Sequence, residues 1–305
     1  MKKLIFPMIT AALILTGCAK TDGGSTVYTF TDSQDRTVEV KSFEKTAVLS
    51  GSLAEIWQLS GGELFGITND AYDGHSLDIP EDVKNYGDVK NPSVEGLIAD
   101  GVDFVILSGS IANQVKLEET LDSSGITAAY FDVENFDDYL SALKICTDIT
   151  GRSDLYSENG ESVRERVEQS VERTKDKDHP KILLLRSYST GIKAKGSDNM
   201  TGQMLADLGC ENIADSESSL LEELSLEAIV RAEPDFVFIT TMGGDTEAAV
   251  AQYEETFGSN PAWQELTAVK DGRVHVLPKD MFHYKPNNRW GEAYEYLEEI
   301  LYGGK

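Results

Sequence analysis

Ser93–Ser110 reads SVEGLIADGVDFVILSGS, and Ser225–Met242 reads SLEAIVRAEPDFVFITTM. Laid over each other 132 residues apart, they put Ser93 on Ser225, Glu95 on Glu227, Asp103 on Asp235, Phe104 on Phe236 and Val105 on Val237. In each, a serine opens a short helix as its N-cap and a tight turn follows. An unbroken apolar run, FVIL or FVFI, then predicts a strand covered on both faces of a parallel sheet. A helix–turn–strand unit repeated about half a chain apart predicts two similar α/β lobes. The alternative is a chance likeness between two amphipathic units.

The flanks extend the pattern. Val27–Val40 holds two alternating runs around the polar turn DSQDR, which predicts an edge hairpin. Strands at Thr46–Leu49, Leu64–Ile67, Phe104–Leu107 and Ala128–Phe131 then alternate with helices that include Asn113–Leu121 and Phe136–Thr150. Such alternation argues for a doubly wound parallel sheet. In the second half, strands KILLLRSYS, FVFITT and VHVLP alternate with helices at Asn199–Leu208, Leu226–Ala232 and Asn288–Leu301. Between the halves, Val163, Val167 and Val171 recur every fourth residue among charges. That stripe predicts one long helix of about 22 residues, spanning roughly 33 Å; the other reading is a surface helix of one lobe. The expected organisation is an N-terminal lobe over 27–152, a linking helix over 153–177 and a C-terminal lobe over 178–305.

The 305 residues suffice for two cores, and the formal net charge of −26 with no basic cluster argues against nucleic-acid binding. Lys2 and Lys3 precede the apolar run Leu4–Leu15, too short to span a bilayer, and LTGC ends at Cys18. This resembles a bacterial lipobox, so residues 1–18 are expected to be a lipoprotein signal ending at a lipidated Cys18. Residues 19–26 (AKTDGGST) would form a flexible tether. The chain is then expected outside the cytoplasm, held at a membrane by its acyl chains. Cys146 and Cys210 sit in apolar contexts and are expected as buried free thiols.

In open parallel sheets ligands meet the loops at the carboxyl ends of the strands. Those loops are expected at Ser50–Ser52, Asn69–His75, Ser108–Ser110, Arg186–Lys195, Thr240–Gly244 and Asp280–Asn288. Cleft candidates are Ser52, Tyr72, Ser108, Arg186, Tyr188, Lys195, Thr241, Met242, His283 and Tyr284, with further cations at Lys193 and Lys285. His283 could pack as a polar residue or ligate haem iron. The chain has no Walker loop, GxSxG elbow, HExxH pair or GxGxxG turn, so neither an enzyme nor a resident metal or cofactor is expected. Glu95 and Glu227 stand in the first helical turn of each repeat. They either complement the helix dipoles or offer two matched carboxylates to arginines of a symmetric partner.

At this point the chain resembles the class III substrate-binding proteins of ABC importers, the group that captures ferric siderophores, haem and cobalamin. The resemblance rests on the repeat, with Pro92–Glu95 and Leu224–Asp235, on GCENIAD at Gly209–Asp215, and on NPAWQELTAVKDGRVHVLP at Asn260–Pro278. It implies two Rossmann-like lobes with parallel sheets joined by one rigid helix, acting as a monomer on an importer permease dimer. It further implies that Glu95 and Glu227 dock by salt bridges to permease arginines. Leu277–Leu297 resembles an iron-complex branch, which implies a ferric siderophore or haem as ligand. Cobalamin is the alternative within the family, and a surface-anchored enzyme acting on such a ligand is the alternative outside it.

Overall fold

The computed structural model describes residues 28–217 and 219–303. Cys18, the signal and the tether lie outside the described residues. The expected repeat is present in detail. Ser93 and Ser225 accept hydrogen bonds from the N–H groups of Gly96 and Ala228, at 3.2 and 3.3 Å, and so cap Val94–Asp100 and Leu226–Ala232. Each helix ends on a left-handed residue at the same repeat position, Gly101 at φ 67° and Glu233 at φ 48°. Glycine adopts that conformation freely and glutamate does not. The Glu233 carboxylate is fastened by the N–H and hydroxyl of Thr267, at 3.0 and 2.8 Å. The repeated aspartates share one task. Asp103 and Asp235 accept the N–H of Lys45 (3.1 Å) and Lys181 (2.8 Å), tying each repeat to the entry of its lobe's first strand.

The first sheet has five parallel strands in the order Lys84–Asn85, Gly66–Ile67, Thr46–Val48, Phe104–Ser108, Thr127–Phe131. The second runs Gly191–Lys195, Lys181–Tyr188, Phe236–Thr241, Val274–Val276, with Glu211–Asn212 also on Lys181–Tyr188. In both sheets the repeat strand lies parallel to the lobe's first strand. Phe104–Leu107 and Val237–Ile239 are at most 1% exposed, as a strand covered on both faces requires. The edge hairpin pairs Tyr28–Thr31 with Thr37–Val40.

Two expectations are corrected. Arg186–Lys195 is not a loop: Arg186 and Tyr188 end one strand, Lys195 ends the next, and the two pair antiparallel with Arg186 opposite Lys193. The helix expected over Asn113–Leu121 is two short ones, Ala112–Val115 and Glu118–Ser123.

Between the sheets the chain is helical from Ser153 to Thr174 in three pieces, Ser153–Tyr156, a π turn at Ser157–Glu161, and Ser162–Thr174. The π turn buries Asn159, whose side-chain N–H₂ donates to the Leu59 carbonyl at 3.0 Å while its own carbonyl accepts the Tyr139 hydroxyl at 2.7 Å. Val163, Val167, Ser170 and Thr174 then face the last helix, Trp290–Tyr302, and the two are laced by Arg166–Glu295 (2.8 Å) and Arg173–Glu298 (2.6 Å). One apolar cluster is continuous through all of this. It contains Ile56 and Phe104 from the first lobe, Val167 from the connection, and Ile182, Phe238 and Leu297 from the second. Cys146 is buried, Cys210 half-buried, and both are free thiols. Among the described residues no helix is long and apolar enough to cross a membrane.

Candidate functional site

The first sheet reverses its chain order between Thr46–Val48 and Phe104–Ser108, the crevice where doubly wound folds receive ligands. Here the crevice is filled by Gln114, fully buried. Its side-chain N–H₂ donates to the carbonyls of Leu49 (2.6 Å) and Val89 (2.7 Å), and its Oε1 accepts the Ser108 N–H (2.8 Å). One amide thus pins three loops at the carboxyl end of the sheet. Gln114→Leu would leave those backbone groups unpaired, and at about 1–2 kcal/mol each the variant should lose roughly 3–5 kcal/mol of stability in urea denaturation. A loss below about 1 kcal/mol would mean that water replaces the amide.

The second lobe reaches across to these loops through Lys279–Asn288. Tyr284 packs against His75 with ring centroids 4.9 Å apart and planes tilted by 42°, and lies over Gly74, where an added Cβ would stand 3.2 Å from the ring. His75 is itself fixed, its Nδ1 3.4 Å from the buried Glu55 carboxylate. Asn287, fully buried at φ 50°, donates from its side chain to the Ser52 carbonyl at 3.1 Å. The Lys279 Nζ lies 4.9 Å from the centre of the Tyr284 ring and donates to the Gly243 carbonyl at 2.6 Å. This segment is a strap between the lobes.

Around the strap the structure gathers cations. Arg186 is near enough to Lys195, His283 and Lys285 for its charge to lower their pKa values, and it pairs across the hairpin with Lys193. The Arg186 Nε is buried and has no hydrogen-bond partner. Every other arginine except Arg164, which donates to the Tyr156 hydroxyl, has a carboxylate within 4.0 Å. Arg186, Lys193, Lys195 and Lys285 have none among the described residues, although the chain carries 53 acids. The strain registers on the neighbours. Burial first, then Arg186, lowers the pKa of Lys195; burial also lowers that of Lys285, against the pull of Glu134 and Asp132 in the first lobe.

His283 is pushed down to about 4 by burial and by the charges of Arg186, Lys279 and Lys285, so it is neutral at pH 7. An unfolded histidine titrates near 6.5. Below that pH the unfolded chain takes up a proton that the folded chain refuses, so this contribution is complete above about 6.5 and is lost as pH falls toward 4. Its size is about 2–3 kcal/mol over that window. His283→Phe should flatten the fall in urea-measured stability between pH 6.5 and 4.5, and an unchanged slope would place the imidazole in water.

The sequence-derived candidates therefore separate. Arg186, Lys195 and His283 come together; Tyr284 and Ser52 stand at the seam between the lobes. Tyr188 is half-buried at the hairpin end opposite Gly191. Ser108 bonds Ser110, Oγ to Oγ at 2.9 Å. Tyr72 and Met242 are 53% and 38% exposed. Thr241 is buried in register with Ser187, one residue past the Arg186–Thr240 pair, and so lies on the opposite sheet face from Arg186. Glu95 and Glu227 are exposed and in no ion pair among the described residues. Sequence reasoning missed His75, Gln114 and Asn287. A separate cavity of about 340 Å³, lined by Phe136, Val167, Met200, Gln203, Trp290 and Tyr294 among others, includes none of the cations.

The model of the periplasmic binding protein family matches residues 47–281, most of the chain and both sheets. The chain belongs to the periplasmic binding protein family. Among curated relatives, the high-affinity heme uptake system protein IsdE of Staphylococcus aureus is 23% identical over 144 residues, 47% of this chain and 48% of that protein. The chain thus matches about half the length of that relative. Solved periplasmic binding proteins share the fold over nearly their whole length. Staphylococcus aureus SirA complexed with staphyloferrin B has a TM-score of 0.70 at 17% identity, covering 90% of this chain and 98% of that one. Staphylococcus aureus IsdE complexed with heme has a TM-score of 0.68 at 16% identity, covering 85% and 99%. An ABC transporter substrate-binding protein of Listeria monocytogenes EGD-e has a TM-score of 0.68 at 19% identity, covering 85% and 98%.

Proposed function

We propose that this periplasmic binding protein captures an anionic ferric chelate between its lobes and delivers it to an ABC permease dimer, without chemistry of its own. The observation that carries the reading is the group of unpaired cations around Arg186 in a chain of net charge −26. An acidic protein that leaves half-buried cations without carboxylates keeps them for a ligand that brings its own negative charge. The likeness to proteins solved with staphyloferrin B and with heme supports an iron complex as that ligand. Lipidation at Cys18 would hold the protein at the outer face of the membrane, where Glu95 and Glu227 would meet the permease. A haem cargo is the second reading, favoured by the neutral state of His283, which leaves a ring nitrogen for iron.

Tryptophan fluorescence and absorbance titrations of the chain starting after Cys18 test both. Saturable quenching by ferric citrate, unaffected by His283→Ala, supports the anionic chelate. A Soret shift with haem that His283→Ala removes supports haem instead. No response to ferric citrate, ferrichrome or haem overturns iron-complex capture.

A further inference from the structure

In the cavity of about 340 Å³ the charge pattern around Arg186 is reversed. Its walls come from three parts of the chain: Phe136 and Asp137 of the first lobe, Val167 of the helix Ser162–Thr174, and Met200, Asp207, Trp290 and Tyr294 of the second lobe. Three of these side chains are aromatic and stand in a row, with ring centroids 5.6 Å apart for Phe136–Trp290 and 6.4 Å for Trp290–Tyr294. Val167, Met200, Trp290 and Tyr294 are buried and Phe136 half-buried, whereas Asp137, Gln203 and Asp207 are exposed. The lining is therefore apolar and aromatic inside and acidic at the solvent edge.

Asp207 ends the helix Met200–Asp207, the end at which the macrodipole disfavours a negative charge. No cation lies within ion-pair distance of Asp207 or Asp137 among the described residues. Two neutral donors hold the Asp207 carboxylate instead, the Gln203 amide at 2.8 Å and the Tyr294 hydroxyl at 2.6 Å, one on each oxygen. Each oxygen keeps capacity for a further donor. Trp290, 1% exposed, carries an indole N–H that has no acceptor among the described residues. Carboxylates without a counter-charge at the edge of an aromatic cavity, with one donor of its wall left over, suit an occupant that brings a positive charge and an apolar body. We propose that this cavity is a second binding site, distinct from the one around Arg186, and that it takes a small organic ammonium ion. The charged end meets Asp207 and Asp137, and the body lies against Phe136, Trp290 and Tyr294. At liquid water's share of about 30 Å³ each, the volume admits about eleven non-hydrogen atoms, the size of an arylalkylamine. Such an occupant touches both lobes and the connecting helix at once. The site goes beyond the proposed capture of a ferric chelate and does not depend on it.

Titration of the full chain at low ionic strength with 2-phenylethylammonium chloride, and separately with uncharged 2-phenylethanol, tests the site by calorimetry and tryptophan fluorescence. The expected result is saturable binding of the ammonium ion, at least about tenfold tighter than any binding of the alcohol, since a charged hydrogen bond is lost with the charge. Asp137→Asn with Asp207→Asn should weaken the ammonium ion by about tenfold or more and leave ferric citrate binding unchanged. Both substituted side chains are exposed, and an asparagine at 207 still offers an oxygen to the Tyr294 hydroxyl, so the fold should hold. If the double variant fails to fold, the comparison of ammonium ion and alcohol on the unaltered chain still decides. Failure of the ammonium ion to saturate by about 10 mM overturns the proposal. Equal binding of the alcohol overturns it too, because the cavity would then be apolar in its preference. So does binding untouched by the double substitution, or competition between the ammonium ion and ferric citrate for one site. Absence of ferric citrate binding alone removes the anionic-chelate reading and leaves this one standing.

Discussion

Arg186→Met is expected to weaken ferric citrate binding by about 100-fold while raising the melting temperature by a few degrees. The loss follows from the hydrogen bonds of a charged group to an anionic ligand, about 1.5–3 kcal/mol, or roughly 10–150-fold in affinity. The gain follows from what Arg186 endures without a ligand. Its Nε is buried without a partner, and Lys193, Lys195 and Lys285 crowd it with like charge. A half-buried cation lacking its counter-charge is replaced by an apolar side chain of similar length at neutral or favourable cost. Methionine keeps the stem's packing and removes the repulsion, so Lys195 and His283 should titrate closer to their ordinary values. Calorimetric melting and the ligand titration on one sample measure both signs together. A melting temperature that falls would make Arg186 a strut of the hairpin and remove the argument for an anionic ligand.

The second large effect concerns delivery. Reversing both repeat carboxylates, Glu95→Arg with Glu227→Arg, is expected to abolish ligand uptake by the permease in reconstituted vesicles while leaving ligand affinity unchanged. Both residues are exposed, in the first turns of helices already capped by Ser93 and Ser225. Each contributes about 0.3–1 kcal/mol through the helix dipole, too little to unfold a lobe when reversed. Docking as proposed would be different, because one reversed charge at each of two matched contacts would turn two attractions into two repulsions. Glu95→Gln with Glu227→Gln should give an intermediate result. Uptake that survives the double reversal would leave both glutamates with dipole complementation and nothing more.

How far the sequence spoke depended on the range of the interaction. The repeat was legible because its cap, turn and buried strand are written in adjacent residues. Even the Asp103 and Asp235 anchors could be paired by position before their partners were known. The hairpin at Arg186–Lys195 was misread although GIKAK alternates apolar and charged residues, a strand signal obscured by the Ser–Thr–Gly turn before it. Arg186, Lys195 and His283 were found by their place near the carboxyl ends of strands. What could not be read was that no carboxylate reaches Arg186. Gln114 and His75 were missed for the same reason. Gln114 acts on Leu49 and His75 on Tyr284, and no local pattern records a contact across such separations.

The apolar cluster that runs from Phe104 through Val167 to Phe238 is shared by the two lobes, while each lobe keeps a second cluster of its own on the other face of its sheet, with Leu49, Leu97 and Tyr130 in the first and Leu185, Ile229 and Trp263 in the second. Swinging one lobe away from the other would open that shared cluster to water. That exposure draws on the same free energy that keeps the chain folded, so a wide opening and partial denaturation are one event here. Any smaller movement falls to the strap, which meets the first lobe through a tilted ring pair and an amide hydrogen bond.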